Sequence, residues 1–230
     1  MPFEEYDGLF VSVLDGPCLE AAFALRYQCY LAEGAIRENR SGIFVDRYDF
    51  LRTSVLIGVR EAGRGLVGSL RFAVQPPRSE GISEYLSGPE FVVFPDSLEP
   101  MLRDDRPIAS GARFAIAADN PRRQQIALLL VRAQLLAARS VGAKWGVATA
   151  KGGHVAFYRR LLLMEPVGPA RQMPGLEYAY RLLAGDLDAN FGASDARFPD
   201  ACKAHFDDHS REFEHEVRGA MPHLLQRWAA

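Results

Sequence analysis

The sequence predicts an α/β (α+β) fold, a mixed central sheet flanked by helices. Three observations predict it. Strand-like and helix-like stretches alternate through the second half, an order that sets some strands parallel with helices across them. One helix, from about Gln124 to Val141, is apolar nearly all the way round and so needs cover on more than one side. Two strand-like runs, SVLIGVR and LVGSLRFAV, are joined by EAGRG, whose Gly63 and Gly65 supply the positive backbone angles of a tight hairpin.

In chain order, Leu9 to Leu14 (LFVSVL) reads as a first strand. Pro17 opens a helix in which Leu19, Phe23, Tyr27, Tyr30 and Leu31 follow helical spacing, and Gly34 is its stop. The hairpin spans Ser54–Arg60 and Leu66–Val74. From Gln75 to Arg106 the chain is rich in proline, glycine and acids and reads as irregular, a length that in a compact domain marks a lid or binding loop. A strand follows at Ile108–Ala117, then the long helix, a strand at Lys144–Ala150, a short helix in GGHVAFYRRLLL and a return strand through LEYAYRLL. Residues 1–190 form one domain with an internal loop at about 75–107. Residues 191–230 form a helical, charged, amphipathic appendage.

With 230 residues the chain is long enough for one sizeable core. A net charge of -2 gives no reason to expect nucleic acid as partner. No apolar run approaches the roughly 18 residues of a membrane span. The N-terminus, MPFEEYDG, has no basic segment followed by an apolar one. Cys18, Cys29 and Cys202 lack paired spacing and read as reduced thiols, which places the protein in the cytoplasm. Cys202, His205 and His209 fall about one turn apart, but in a charged amphipathic tail they read as surface residues, and no metal is expected.

The stretch FVDRYDF sets Asp46 and Asp49 three residues apart in an aromatic frame, just before a strand. Either they are solvated loop acids, or they organise a substrate's amino end or the loop that does so. Arg26 shares a helix face with Phe23, Tyr27 and Tyr30. It either snorkels over apolar surface or pairs internally with Asp46 or Asp49. Arg71 and Arg113 lie on adjacent strands, where either can face outward.

GGHVAFYRRLLL resembles the last helix of the GNAT acyltransferase superfamily, and the preceding order of hairpin, strand, long helix and strand is the GNAT order. The series Arg26, Tyr30, Glu33, Asp46, Asp49, Arg71 and Arg113 resembles the acyl-homoserine-lactone synthases, and still more the long-chain N-acyl amino acid synthases. The resemblance implies a GNAT-like fold and transfer of a fatty acyl chain from acyl carrier protein to an amine. Ile36 stands where the lactone synthases have tryptophan, and Ser110 where they have glutamate, which shifts the expected acceptor from S-adenosylmethionine to an amino acid. Between strand and long helix, AADNPRRQQ has no glycine, unlike the loop that cradles the pyrophosphate of coenzyme A in GNAT enzymes. Arg122 and Arg123 there suit the single phosphate of a carrier-linked phosphopantetheine. With Arg159 and Arg160 they make a basic face for an acidic carrier protein, or ordinary solvated helix faces.

The same resemblance implies roles. Arg71 meets the acceptor carboxylate. Arg26, Tyr30, Asp46, Asp49, Ser110 and Arg113 build the acceptor pocket. Backbone N–H groups of Phe114, Ala115 and Ile116 hold the thioester oxygen. Tyr158 is either the acid for the leaving thiolate or core packing, and Glu33 either the base or a solvated helix end. Leu128, Val131, Leu135, Val147 and Leu161 line an acyl tunnel or fill the core. The acyl carrier protein thioester serves as donor substrate, with a coenzyme A thioester as the alternative, and no metal or redox cofactor is implied. The remaining alternatives are a lactone-type signal synthase, a coenzyme A-dependent acetyltransferase, and a non-catalytic acyl- or carrier-binding module.

Overall fold

Strands β1 (Leu9–Val13), β2 (Ser54–Glu61), β3 (Gly65–Gln75) and β4 (Ile108–Ile116) pair antiparallel in chain order. β4 pairs parallel with β5 (Trp145–Ala150), and β5 antiparallel with β8 (Ala179–Asp186). The short β6 (Glu165–Pro166) and β7 (Arg171–Gln172) each pair with β8. The sheet is therefore mixed, as expected, with its parallel step at the centre. This computed structural model describes residues 6–77, 86–207 and 209–222. Residues 1–5 of the acidic N-terminus, 78–85 of the expected loop and 223–230 of the expected appendage lie outside that range.

Strand alternation divides the residues between two faces. On β2, Val55, Ile57 and Val59 enter the main core, while Leu56 joins a separate cluster with Ala22 and Phe23 of α1 (Pro17–Ala32). Helix α1 starts with Pro17 in its first turn, where the missing N–H costs nothing, and ends before Gly34 at φ +65. It lies across β3 and β4.

The opposite face carries α4 (Arg123–Ser140), buried at nearly every position from Ile126 to Ala138. Gly68 on β3 lets α4 approach, because a Cβ there would collide with Ile126. Helices α6 (Leu187–Asp195), α7 (Asp200–Asp207) and α8 (Ser210–Ala220) cover its other side. Arg132, buried inside α4, pairs with Asp195 at 2.6 Å and lies against the rings of Phe198 and Phe206. The tail expected as an appendage thus shares the main core through Phe198, Phe206, Phe213 and Val217. Its charges face out and its apolar side chains face α4, which an amphipathic pattern alone does not distinguish from a free-standing helix.

The segment expected to be an irregular loop carries two short helices, α2 (Pro89–Val93) and α3 (Pro95–Leu102). Each begins with a proline, tolerated in the first turn. Pro89 and Pro95, two of the residues that made the segment look irregular, are helix starts. Phe91, Phe94, Leu98 and Leu102 build a second core with Ile36, Val147 and Leu182.

Candidate functional site

The parallel pairing of β4 with β5 stops at Gly111 opposite Ala148, although β4 runs on to Ile116. Past that point the strands part. The cause is visible in β4: its register against β3 slips by one residue between Ala112 and Ala115, and Arg113 sits at φ +56. This is a bulge, which bends its strand and ends pairing on one side. A cavity of about 280 Å³ fills the opening. Its lining comes from α1, α2, β3, β4, α4, β5, β8 and α5 (Val155–Leu162).

The amide of Ala117 donates to Val67 O at 2.9 Å. By strand alternation the amide of Ala115 also faces β3, and that of Ile116 faces the opening. Ala115, expected to help hold the thioester oxygen, turns its N–H the other way. The Ile116 carbonyl accepts from the Cys29 thiol at 3.1 Å, in keeping with that orientation. Burial pushes the Cys29 thiol up, so it stays protonated and is no ready nucleophile.

Behind the cavity lies the charged cluster. Asp46 and Asp49 cap a single 3₁₀ turn, Arg47–Phe50: Asp46 Oδ1 accepts from Tyr48 N at 2.9 Å, and Asp49 Oδ2 from Asp46 N at 2.9 Å. This reciprocal capping explains the three-residue spacing. The remaining capacity goes to three guanidiniums. Arg26 Nη1 donates to both oxygens of Asp49, at 3.0 and 2.9 Å. Arg71 Nη1 bridges Asp46 Oδ1 at 2.7 Å and Asp49 Oδ1 at 3.3 Å. Arg113 Nη2 reaches Asp46 Oδ2 at 2.6 Å, which the bulge makes possible by turning Arg113 toward α1. Burial alone would raise the Asp46 carboxyl, but Arg71 and Arg113 outweigh it and hold it below the usual carboxylate range. The family resemblance grouped these five residues, and the structure brings them together. Of the five, Arg71 and Arg113 line the cavity; Arg26, Asp46 and Asp49 stand behind it. The doublet therefore holds the arginines of the cavity wall and does not itself line the cavity.

Ser110 has a partner that sequence reasoning missed. Its hydroxyl donates to Glu90 Oε1. Glu90, at the start of α2, is 1 % exposed and lines the cavity. Gly88 makes room for it, because a Cβ at 88 would collide with the Glu90 carboxylate. A carboxylate thus stands against β4 at the position where the lactone-synthase pattern has glutamate and this chain has serine. It arrives from another segment, and no spacing in the sequence signals it.

The other expected residues divide. Tyr30 and Tyr158 both line the cavity, and burial pushes both phenols well up, so they keep their protons at neutral pH. Glu33 also lines it, with its carboxylate taken by Lys151 at 2.5 Å. His154 lines it as well, its imidazole pushed down by burial and by Lys151, hence neutral at neutral pH. Arg123 reaches the cavity, whereas Arg122 bonds Asp7 O at 2.8 Å and Arg159 pairs with Glu165 at 2.8 Å. Arg160 does not line the cavity, and its carbonyl accepts from Arg197. Leu128, Val131, Leu135, Val147 and Leu161 lie in or against the cores, not at the cavity. Its apolar wall is Phe157, Met173, Leu176 and Tyr180 instead. Met173 and Leu176 also line an outer cleft of about 590 Å³, beside Ile36 and Phe44. Among the described residues, no group of three His, Cys, Asp or Glu is placed to hold a metal, and no helix is long and apolar enough to cross a membrane.

A family profile described as "N-acyl amino acid synthase FeeM" matches residues 21–186, the stretch that holds the cluster, the bulged strand and the cavity. The chain belongs to this family of N-acyl amino acid synthases. It is an N-acyltransferase. Among solved structures it is similar to FeeM from uncultured soil microbes, at 14% identity and TM-score 0.65, over 82% of this chain and 97% of that one. It is also similar to the coenzyme A-dependent acyl-homoserine lactone synthase BjaI, at 18% identity and TM-score 0.60, over 86% and 99%. The lactone synthase LasI matches at 19% identity and TM-score 0.59, over 81% and 93%. At these identities the structures establish the fold alone, the mixed sheet flanked by helices that these synthases share. No curated protein matches the sequence.

Proposed function

We propose that the protein moves a fatty acyl chain from the phosphopantetheine thioester of acyl carrier protein onto the α-amine of an amino acid, in the cytoplasm. The observation that carries this reading is the cavity at the parted β4 and β5, with an unpaired strand edge beside a buried guanidinium. The edge supplies the Ile116 amide to the thioester oxygen, where negative charge develops as the amine attacks. Met173 and Leu176, shared with the outer cleft, give the acyl chain an apolar path. Tyr158 keeps its proton and stands where the departing thiolate needs one. The raised Cys29 thiol favours direct attack over an acyl-cysteine intermediate.

The donor assignment rests on the segment before α4. It has no glycine cradle, and Arg123 is its cation at the cavity, which suits one phosphate better than a pyrophosphate. BjaI is coenzyme A-dependent, so that donor belongs in the test. Thiol release is measured from long-chain acyl carrier protein and from acyl-coenzyme A, against a panel of amino acids and S-adenosylmethionine, with products identified by mass spectrometry. An N-acyl amino acid formed from acyl carrier protein supports the reading. Methylthioadenosine release in place of an amide, or turnover with acyl-coenzyme A alone, overturns the acceptor or the donor respectively.

A further inference from the structure

Among the described residues, Glu90 Oε2 is a buried carboxylate oxygen with no donor, and Arg71 Nε and Nη2 are buried donors with no acceptor. Both side chains line the inner cavity. They also adjoin one another by register. Arg71 pairs with Ala112 and Ala73 with Ser110, so Arg71 and Ser110 are diagonal neighbours on one face of β3 and β4. The Ser110 hydroxyl holds Glu90 Oε1, which leaves Oε2 as the free end. Each buried polar atom left without a partner costs about 1–3 kcal/mol. A ligand that carries an ammonium and a carboxylate side by side relieves both deficits at once.

We propose that Glu90 and Arg71 are the two jaws of an α-amino acid site, with Glu90 as the base of the transfer. This rests on the amino acid acceptor proposed above. Glu90 Oε2 receives the α-ammonium, and the unpartnered guanidinium nitrogens of Arg71 receive the α-carboxylate. Glu90 takes one proton from the ammonium. The freed lone pair forms the C–N bond to the thioester carbonyl carbon, and the C–S bond breaks. The leaving thiolate takes the Tyr158 proton, and the second amine proton restores Tyr158. The proton on Glu90 then passes to solvent, so each turnover yields amide, thiol and one proton. Glu33, tied to Lys151 at 2.5 Å, is not needed for this step.

The test uses the full chain, acyl carrier protein as donor, and the amino acid that the wild type turns over best. Calorimetry compares that amino acid with its deaminated acid and its decarboxylated amine. The wild type binds the parent more tightly than either. Glu90→Gln lowers kcat/KM for the acceptor about 10²–10⁴-fold, the usual range for a lost general base, and leaves the KM for the donor unchanged. Its residual rate climbs about tenfold per pH unit while the acceptor remains an ammonium ion, because solvent must then remove the proton. Adding Ser110→Glu to that variant returns a carboxylate to the same place and recovers activity at least about tenfold. Equal binding of the deaminated acid by the wild type, or full activity of Glu90→Gln, overturns the inference while leaving the acyltransferase reading intact. Should Glu90→Gln fail to fold, the wild-type binding comparison decides alone. A wild type that makes no amide with any amino acid overturns the proposed function and this site with it.

Discussion

Three buried or half-buried carboxylates stand at this site, and the chain uses them in opposite ways. All four oxygens of Asp46 and Asp49 accept hydrogen bonds, from three arginines and two backbone amides. Glu90 has one oxygen on Ser110 and one with no partner among the described residues. The two aspartates have no oxygen left to offer a ligand, but they hold the arginines that fix the bulged strand and the cavity wall. Of these arginines, among the described residues, only Arg71 keeps buried donors without a partner at the cavity. An open corner next to it is where a ligand can act. The difference teaches that the most charged part of the sequence is the frame, and that the working carboxylate we propose is the isolated one.

The comparison breaks most visibly through stability. Asp49→Ala strands Arg26, whose side chain is fully buried, and should cost about 3–5 kcal/mol in chemical denaturation. A loss below about 1 kcal/mol would mean that water or another group replaces the carboxylate and that the network is not closed. Gly88→Ala separates the two regions more finely. The new methyl meets only the flexible end of Glu90, so unfolding should change by less than about 1 kcal/mol. The displaced carboxylate should nevertheless lower kcat/KM for the acceptor by about 10²-fold, the effect of small misplacement at a reacting centre. Unchanged kinetics would detach Glu90 from the reaction.

The smallest effect is the pH dependence of the frame. Asp46 has a folded value held below its unfolded value of about 3.9. Its contribution is therefore fully present above that value and is lost as pH falls through the folded one. Thermal melts from pH 7 down to pH 3 should show wild type and Asp46→Asn converging only at the acid end. Convergence already at pH 5–6 would contradict the depressed carboxyl.

Much of the frame was legible through resemblance. The order of Arg26, Asp46, Asp49, Arg71 and Arg113 resembles the synthase families. Their residue types alone left Arg26 free to snorkel, the aspartates free to be solvated and the strand arginines free to face outward. The bulge was not legible, because a left-handed Arg113 has no local signal, and with it went the orientation of the Ala115 and Ile116 amides. The second core was misread for a local reason. Pro89 and Pro95 break a pattern search, yet both sit in first turns where they favour a helix. The apolar lining of the cavity was not legible for a non-local one: Met173, Leu176 and Tyr180 come from the return strand and the loop before it, which no periodicity connects to α1 or α5.

The sequence by itself determined the order of strands and helices and the hairpin at Gly63 and Gly65, because each follows from local periodicity or glycine conformation. Only the tertiary structure decided that α6, α7 and α8 complete the cover of α4, that β4 and β5 part beyond Gly111, and that Glu90 closes on Ser110. Those outcomes depend on contacts between segments distant in the chain, where shape and burial select the partner and sequence spacing carries no record of it.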